Sequence, residues 1–121
     1  TASDRVLAMI SGWNERDLEA IVDCFADDAV YHNIPMEPVQ GKQGIREAIS
    51  GFVAGASAIQ WDMLHIAENA TGAVLTERLD KFEMGGKWIA VPVMGTFEVR
   101  DDLIVAWRDY FDLAGFQAQI E

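Results

Sequence analysis

The chain has 121 residues, half of them hydrophobic, which suits a single domain spanning residues 1–121 with one core. Its formal net charge of −11 argues against nucleic acid and anionic membrane surfaces as partners, because both bind clustered lysine and arginine. The lone cysteine, Cys24, offers neither a disulfide framework nor a thiolate metal site. No apolar run is long enough for a membrane span and no secretion-signal pattern is found, so we expect a cytoplasmic protein.

The first half of the chain shows the spacing of apolar residues that is typical of helices. This spacing predicts three helices, over residues 3–13 with Ser3 as the cap, 17–25 and 41–55. Between the second and third helices, alternation predicts a short strand over residues 29–34. Successive side chains of a strand point to opposite faces, so Tyr31 and Asn33 share one face of it.

From residue 58 onward the pattern changes to the alternation of strands. It predicts four long strands, over residues 59–68, 73–83, 88–99 and 103–111. The segments between them contain Gly, Asn and Asp, which are typical of tight turns, so the strands are expected to form an antiparallel meander. Helices followed by such a sheet make an α+β fold. We expect three helices to cover one face of a strongly curved sheet and to enclose an apolar pocket.

Polar side chains interrupt the apolar faces of two of these strands. Arg78 and Asp80 share a face of the second strand, and taken alone such a pair is most often an ordinary surface ion pair. Asp109 lies among apolar neighbours on the last strand, where a carboxylate requires partners. Arg78, Tyr31 and Asn33 are the candidate partners. Each signal is weak by itself, but together they predict that five polar side chains converge inside the pocket.

Two carboxylates beside one guanidinium do not easily both stay ionised. One is expected to hold a proton while the other remains anionic, which provides a general acid and a general base in one pocket at neutral pH. With one aspartate protonated, the two aspartates and Arg78 carry no net charge. A neutral group of this kind suits an apolar cavity.

Four segments resemble the limonene-1,2-epoxide hydrolase family, and the resemblance extends from the first helix to Phe116. The segments are residues 31–35, 76–80, 95–97 and 107–112, which read YHNIP, TERLD, GTF and WRDYFD. The resemblance implies the cone-shaped α+β fold of nuclear transport factor 2 and the SnoaL-type cyclases. It also implies an enzyme that opens an epoxide to a vicinal diol in one step, without metal or cofactor.

The resemblance implies a role for each of the five polar residues. Asp109 is expected to act as the base for an attacking water, which Tyr31 and Asn33 hold in line with the ring carbon. Asp80, protonated, is expected to donate to the epoxide oxygen as the C–O bond breaks. Arg78 is expected to lie between the two aspartates and to orient both.

An apolar lining implies a small hydrophobic epoxide as the substrate. The expected substrate-binding residues are Trp107, Phe52, Phe82, Val91, Val93, Phe111 and Phe116. Trp107 is also expected to support Asp80. Outward-facing apolar residues on the late strands indicate a homodimer that packs sheet to sheet, which the resemblance implies too.

Two other functions remain open from the sequence. An isomerase or cyclase of the SnoaL or ketosteroid isomerase kind would use Asp109 as a base on a carbon acid, and it would not need Tyr31 and Asn33 to hold a water. A non-catalytic ligand-binding module would tolerate the loss of both Asp80 and Asp109. The sequence has only two histidines, far apart in the chain and without clustered ligands, so no metal site is predicted.

Overall fold

The computed structural model, which describes residues 1–121, contains four helices and six strands. The helices are α1 (Ala2–Asn14), α2 (Leu18–Val22), α3 (Lys42–Gly55) and α4 (Leu113–Ile120). The strands are β1 (Phe25–Asn33), β2 (Val39–Gln40), β3 (Ala58–Glu68), β4 (Ala73–Met84), β5 (Lys87–Arg100) and β6 (Leu103–Tyr110). The α+β class is confirmed, with one more helix and one more short strand than the sequence predicts.

Helix α1 begins at a different cap from the one predicted. Thr1 is the N-cap, since its side chain accepts a hydrogen bond from the Asp4 amide while the Asp4 carboxylate bonds back to the Thr1 backbone nitrogen. Ser3 lies inside the first turn, where its hydroxyl donates to Glu68 of β3 at 2.7 Å. The reciprocal bonds of Thr1 and Asp4 therefore decide where the helix begins.

The boundary between α2 and β1 also differs from the prediction. The helix ends at Val22, and Phe25, which the sequence pattern places in the helix, is the first residue of β1. Phe25 pairs with Ile104 of β6, and an irregularity in register separates this pair from the next, Val30 with Ala106. A pairing with a strand 79 positions away in the chain overrides the local helical spacing.

The six strands form one sheet in the order β2-β1-β6-β5-β4-β3. Strands β3 to β6 form the predicted antiparallel meander, whereas β1 runs parallel to β6 and makes the sheet mixed. Helix α1 packs across β3 to β6, and α3 packs against β1. The parallel pairing places Tyr31 beside Trp107 and Asn33 beside Asp109, which brings the first strand to the last.

The last helix, α4, lies in a stretch to which the sequence pattern assigns no element. Strand β6 ends at Tyr110 rather than at Phe111, and the chain then turns into α4, which lies against β5. None of the residues of α4 is fully buried, so its apolar periodicity is weak. No helix in the structure combines the length and the apolar character needed to cross a membrane.

Candidate active site

Arg78 lies on the inner face of β4 and is completely buried. Its Nε donates to Asp80 Oδ1 at 3.0 Å and its Nη2 donates to Asp80 Oδ2 at 2.9 Å. On the other side, Nη1 and Nη2 donate to Asp109 Oδ1 and Oδ2 at 3.2 and 2.7 Å. Nη1 also donates to Thr76 Oγ1 at 3.1 Å. One guanidinium thus joins two buried carboxylates, and the pair of Arg78 with Asp80 is not a surface ion pair.

Aromatic rings surround the guanidinium on the faces that the carboxylates leave free. The Arg78 Cζ atom lies 5.1 Å from the ring centre of Trp61, 5.9 Å from that of Phe97 and 6.0 Å from that of Trp107. A cation over an aromatic face is attracted to it, and more strongly where water is absent. Burial by itself would lower the pKa of Arg78, but the charges and hydrogen bonds of the two aspartates raise it above its ordinary value.

Asp109 accepts a third hydrogen bond, from Trp107, whose Nε1 lies 2.6 Å from Asp109 Oδ1. The sequence places Trp107 beside Asp80 and in the cavity lining, whereas in the structure it supports Asp109 and is completely buried outside the lining. Trp107 and Asp109 are two apart on β6 and so share a face. The three donated hydrogen bonds fix the orientation of the Asp109 carboxyl group.

Asp80 is the carboxyl group whose protonation the surroundings alter most clearly. Only 6% of it is exposed, and its only hydrogen-bond partner is Arg78. Burial raises the pKa of Asp80 to about 6, against the lowering by the hydrogen bonds and charge of Arg78, and the negative charge of Asp109 adds to the rise. Asp80 therefore holds its proton at pH values where an ordinary aspartic acid has lost it.

Tyr31 and Asn33 form a polar pair on β1 beside Asp109. The Asn33 Nδ2 atom donates to the Tyr31 hydroxyl at 3.2 Å, and the Tyr31 ring stacks on Trp107 with 4.1 Å between centroids. Burial and the charge of Asp109 raise the pKa of Tyr31, so its phenol remains protonated. The two side chains offer uncharged hydrogen-bonding groups beside Asp109.

Sequence reasoning missed the role of Gly95, although this residue belongs to one of the four segments that carry the resemblance. Gly95 lies on β5 between Thr76 of β4 and Asp109 of β6. A Cβ atom here would lie 2.5 Å from Arg78 Nη1 and 2.5 Å from Asp109 Oδ1, too close for either atom. The missing side chain makes the contact of Arg78 with Asp109 possible.

The carboxyl groups of Asp80 and Asp109 and the pair of Tyr31 with Asn33 line a cavity of about 400 Å³. The predicted apolar residues that also line it are Phe52, Phe82, Val91, Val93, Phe111 and Phe116. The lining further includes residues that the sequence pattern did not single out, namely Trp13, Met36, Glu37, Val39, Ala48, Ile49, Trp61 and Met84. Five of them lie on helices or in the loop after β1, where strand alternation does not apply, whereas Val39, Trp61 and Met84 lie on strands.

No cluster of three or more His, Cys, Asp or Glu side chains is arranged to hold a metal ion. His32 lies on the face of β1 away from Tyr31 and Asn33, and its Nε2 is 2.8 Å from the Met36 carbonyl oxygen. His65 lies at the surface of β3 near Glu77. The ionisable side chains that line the cavity are those of Tyr31, Glu37, Asp80 and Asp109.

The sequence matches the limonene-1,2-epoxide hydrolase catalytic domain over residues 1–120. The chain belongs to this family. It is 32% identical over 109 residues to the epoxide hydrolase EphG of Mycobacterium tuberculosis, a match that covers 89% of this chain and 71% of EphG. The resemblance inferred from the four sequence segments is thereby confirmed at the level of the family.

One solved structure supports the same assignment for this limonene-1,2-epoxide hydrolase family member, and a second supports the fold. An LEH-like epoxide hydrolase of M. tuberculosis superimposes with a TM-score of 0.86 and 28% identity, covering 98% of this chain and 91% of that one. A SnoaL-like protein of Shewanella denitrificans superimposes with a TM-score of 0.88 at 14% identity, covering 98% and 96% of the two chains. The second likeness concerns the fold alone, and it confirms the predicted SnoaL-like cone.

Proposed function

We propose that this chain adds water to a small hydrophobic epoxide in one step and releases a vicinal diol. The observation that carries the proposal is the single buried guanidinium of Arg78, which holds Asp80 and Asp109 at the wall of an apolar cavity. Such a site provides a proton acceptor and a proton donor to the same bound molecule. Neither a metal nor a cofactor takes part in the proposed reaction.

Asp109 is the proposed general base. Arg78 and Trp107 hold its carboxylate by three hydrogen bonds, and Asn33 lies beside it in the neighbouring strand. A water that bonds to Asp109, Tyr31 and Asn33 would lose its proton to Asp109 while its oxygen attacks a ring carbon. Holding the water in place removes much of the entropic cost of a bimolecular attack.

Asp80 is the proposed general acid. As the new C–O bond forms, the old bond from carbon to the epoxide oxygen breaks, and Asp80 gives its proton to that oxygen. The raised pKa of Asp80, about 6 because of burial, favours the protonated form that this step requires. A bound apolar epoxide would exclude water from the carboxyl group and would raise the pKa further.

The total charge of the site stays constant during this reaction. Before the step Asp109 is anionic and Asp80 is neutral, and after it Asp109 is neutral and Asp80 is anionic. Arg78 bonds to both carboxyl groups and balances the charge in either state. A proton must then pass from Asp109 to Asp80, directly through water or by way of the solvent, before the next turnover.

The cavity supports a small hydrophobic substrate. Its volume of about 400 Å³ lies in the lower part of the range for small-molecule sites. Outside the polar groups already named, Glu37 is the one charged residue in the lining, and it lies at the loop after β1. A neutral ring epoxide of the limonene oxide type suits both the volume of the cavity and its largely uncharged lining.

A homodimer that packs through the outer face of the sheet is part of the proposal. Leu75, Met94 and Tyr110 all point away from the cavity, and between 47% and 54% of each residue is exposed. Met94 and Tyr110 are direct neighbours across β5 and β6. Light scattering should give the mass of a dimer for the native chain and of a monomer for Met94→Glu, and a native monomer would contradict this part.

Incubation with limonene oxide and cyclohexene oxide tests the proposed reaction. The native chain should release a diol from at least one of them, and the Asp80→Asn and Asp109→Asn variants should not. Asp28→Asn, a change at an exposed position of β1, serves as the matched control and should keep full activity. No diol from any small epoxide would reject the hydrolase proposal, and an isomerised product without added water would favour the isomerase or cyclase.

A further inference from the structure

The side chain of Gln119, in α4, pairs with the backbone of Ala90, in β5. The Ala90 amide donates to Gln119 Oε1 at 2.9 Å, and Gln119 Nε2 donates to the Ala90 carbonyl at 2.7 Å. Strand β6 pairs with β5 only from Met94 onward, so no strand covers this edge at Ala90. The Gln119 amide therefore takes the place of the missing strand and satisfies both backbone groups.

A similar pair of hydrogen bonds joins α1 to β3, the strand at one edge of the sheet. The Trp61 amide donates to Asn14 Oδ1 at 2.6 Å, and Asn14 Nδ2 donates to the Trp61 carbonyl at 3.2 Å. Helix α1, however, also buries five of its residues, including Met9 and Trp13. The paired amide is therefore a minor part of the attachment of α1.

Helix α4 has far fewer stabilising contacts with the rest of the protein than α1 has. None of its residues is fully buried, and the side chain of its N-cap residue, Asp112, makes no capping hydrogen bond. Elements with few buried contacts open most easily in native proteins. The two hydrogen bonds of Gln119 are the only side-chain hydrogen bonds between α4 and the sheet.

One residue of α4 forms part of the cavity wall. Phe116 lines the cavity, and its ring lies 6.0 Å from that of Phe82 and 6.3 Å from that of Phe111. Gln119 follows Phe116 by three positions, so both side chains lie on the same side of the helix. The two hydrogen bonds that hold Gln119 to Ala90 therefore also hold the Phe116 ring in its position.

We propose that Gln119 is a specificity-determining residue, because its pairing with Ala90 holds the Phe116 wall in place and limits the size of the epoxide. The epoxide as substrate rests on the proposed function, whereas the pairing and its effect on α4 do not. Arg78, Asp80 and Asp109 lie on β4 and β6 inside the sheet, so release of α4 leaves them in position. The effect should fall on KM and on substrate size rather than on kcat.

Amide hydrogen exchange of the free protein tests the pairing without any substrate. Gln119→Ala and Gln119→Met, the second of which keeps the apolar volume, should speed exchange in residues 113–120 by about tenfold, as expected for the loss of two hydrogen bonds. Gln117→Ala is the matched control, since Gln117 is exposed on the same helix and should leave exchange unchanged. Unchanged exchange in both Gln119 variants would overturn the proposal.

Kinetics with a small and a bulky epoxide test the effect on specificity. For cyclohexene oxide, both Gln119 variants should raise KM by about tenfold with little change in kcat. For cis-stilbene oxide, which carries two phenyl rings, kcat/KM should stay constant or rise, so the preference shifts toward the larger epoxide. A loss of kcat with unchanged KM and unchanged size preference would overturn the proposal.

Binding of 1,2-cyclohexanediol, followed by tryptophan fluorescence, separates this proposal from the proposed reaction. The diol needs no turnover, and its Kd should rise by about tenfold in both Gln119 variants and not in Gln117→Ala. If exchange and diol affinity change as expected while no version of the protein hydrolyses an epoxide, the Gln119 proposal stands and the proposed function fails. If diol affinity equals that of the control, the wall is not held by Gln119.

Discussion

Gly95 lies directly opposite Asp109 in the pairing of β5 with β6, and a Cβ atom at residue 95 would lie 2.5 Å from Asp109 Oδ1. Asp109 can reach Arg78 only because this position carries no side chain. The φ angle of Gly95 is not positive, so the requirement is one of space and not of a left-handed backbone conformation. The arrangement of charges in the cavity therefore depends on a residue that has no polar group.

Replacement of Gly95 by alanine should abolish most of the activity. The added methyl group must displace either the Arg78 guanidinium or the Asp109 carboxylate, so we expect kcat to fall by about a hundredfold or more, comparable to the loss of a positioned electrostatic group. Overpacking of this kind also costs roughly 1–3 kcal/mol in the free energy of unfolding. Diol formation and urea unfolding measure the two effects.

Gly51 provides the control for this substitution. A Cβ atom at Gly51, in α3, meets nothing within 4 Å. Gly51→Ala should therefore keep full activity and should stabilise the protein by roughly 0.5–1 kcal/mol, as alanine does inside helices. Equal activity of the Gly95 and Gly51 variants would show that the contact of Arg78 with Asp109 is not needed.

The rate should fall as the pH rises through the pKa of Asp80. Burial raises this pKa to about 6, and only the protonated form of Asp80 can act as the acid. We expect kcat/KM, which reports the free enzyme, to decrease above about pH 6 by a factor that approaches tenfold per pH unit. The decrease in kcat should begin at a higher pH, because the bound epoxide excludes water from the carboxyl group. A kcat/KM that rises as the pH increases through 6 would mean that Asp80 acts in its ionised form, as a base and not as an acid.

The same group makes stability depend on pH. The pKa of Asp80 rises from an ordinary 3.8 to about 6 on burial, so the folded state binds its proton more tightly than the unfolded state does. Its contribution to stability is complete below about pH 4 and is lost as the pH rises through 6. Relative to Asp80→Asn, the native chain should therefore lose roughly 2 kcal/mol between pH 4 and pH 7.

Urea unfolding of both proteins at the two pH values measures this difference. Asp62 is the matched control, since the hydrogen bond from Lys81 lowers the pKa of Asp62. Stability from a lowered pKa is lost as the pH falls, so the native chain compared with Asp62→Asn should show a trend of the opposite sign. A constant difference between the native chain and Asp80→Asn would mean that Asp80 ionises normally.

Trp107→Phe should lower kcat while KM stays nearly constant. Phenylalanine keeps an aromatic ring against Tyr31 but cannot donate the hydrogen bond that Trp107 Nε1 makes to Asp109. The base then loses one of the groups that orient it, and we expect kcat to fall by about tenfold. The exposed Trp88, on the same sheet, provides the control Trp88→Phe. An equal rise in KM for limonene oxide and for cyclohexene oxide would instead indicate that Trp107 contacts the epoxide directly.

Local alternation was enough to predict that the polar residues of β4 and β6 that form the site point inward. Arg78, Asp80 and Phe82 on β4, and Asp109 on β6, all point inward as the period of two requires. The α+β class follows from the same kind of pattern, because helical spacing dominates the first half of the chain and strand alternation dominates the part from residue 58 onward. Both features depend on neighbours within a few positions in the sequence.

Features that depend on distant pairings could not be predicted. The parallel pairing of β1 with β6 begins at Phe25, which the local pattern assigns to a helix. The space requirement at Gly95 involves Arg78 on a third strand. Helix α4 has too few buried residues to leave an apolar pattern.

A single turnover in ¹⁸O-labelled water, with enzyme in excess over epoxide, tests the one-step mechanism most directly. If a water held by Asp109, Tyr31 and Asn33 attacks the ring, the diol from the first turnover carries one ¹⁸O and the protein carries none. If an aspartate attacks and forms an ester, the first diol is unlabelled in the added position and the label is found in that carboxyl group. The account predicts labelled diol, and labelled Asp80 or Asp109 would contradict it.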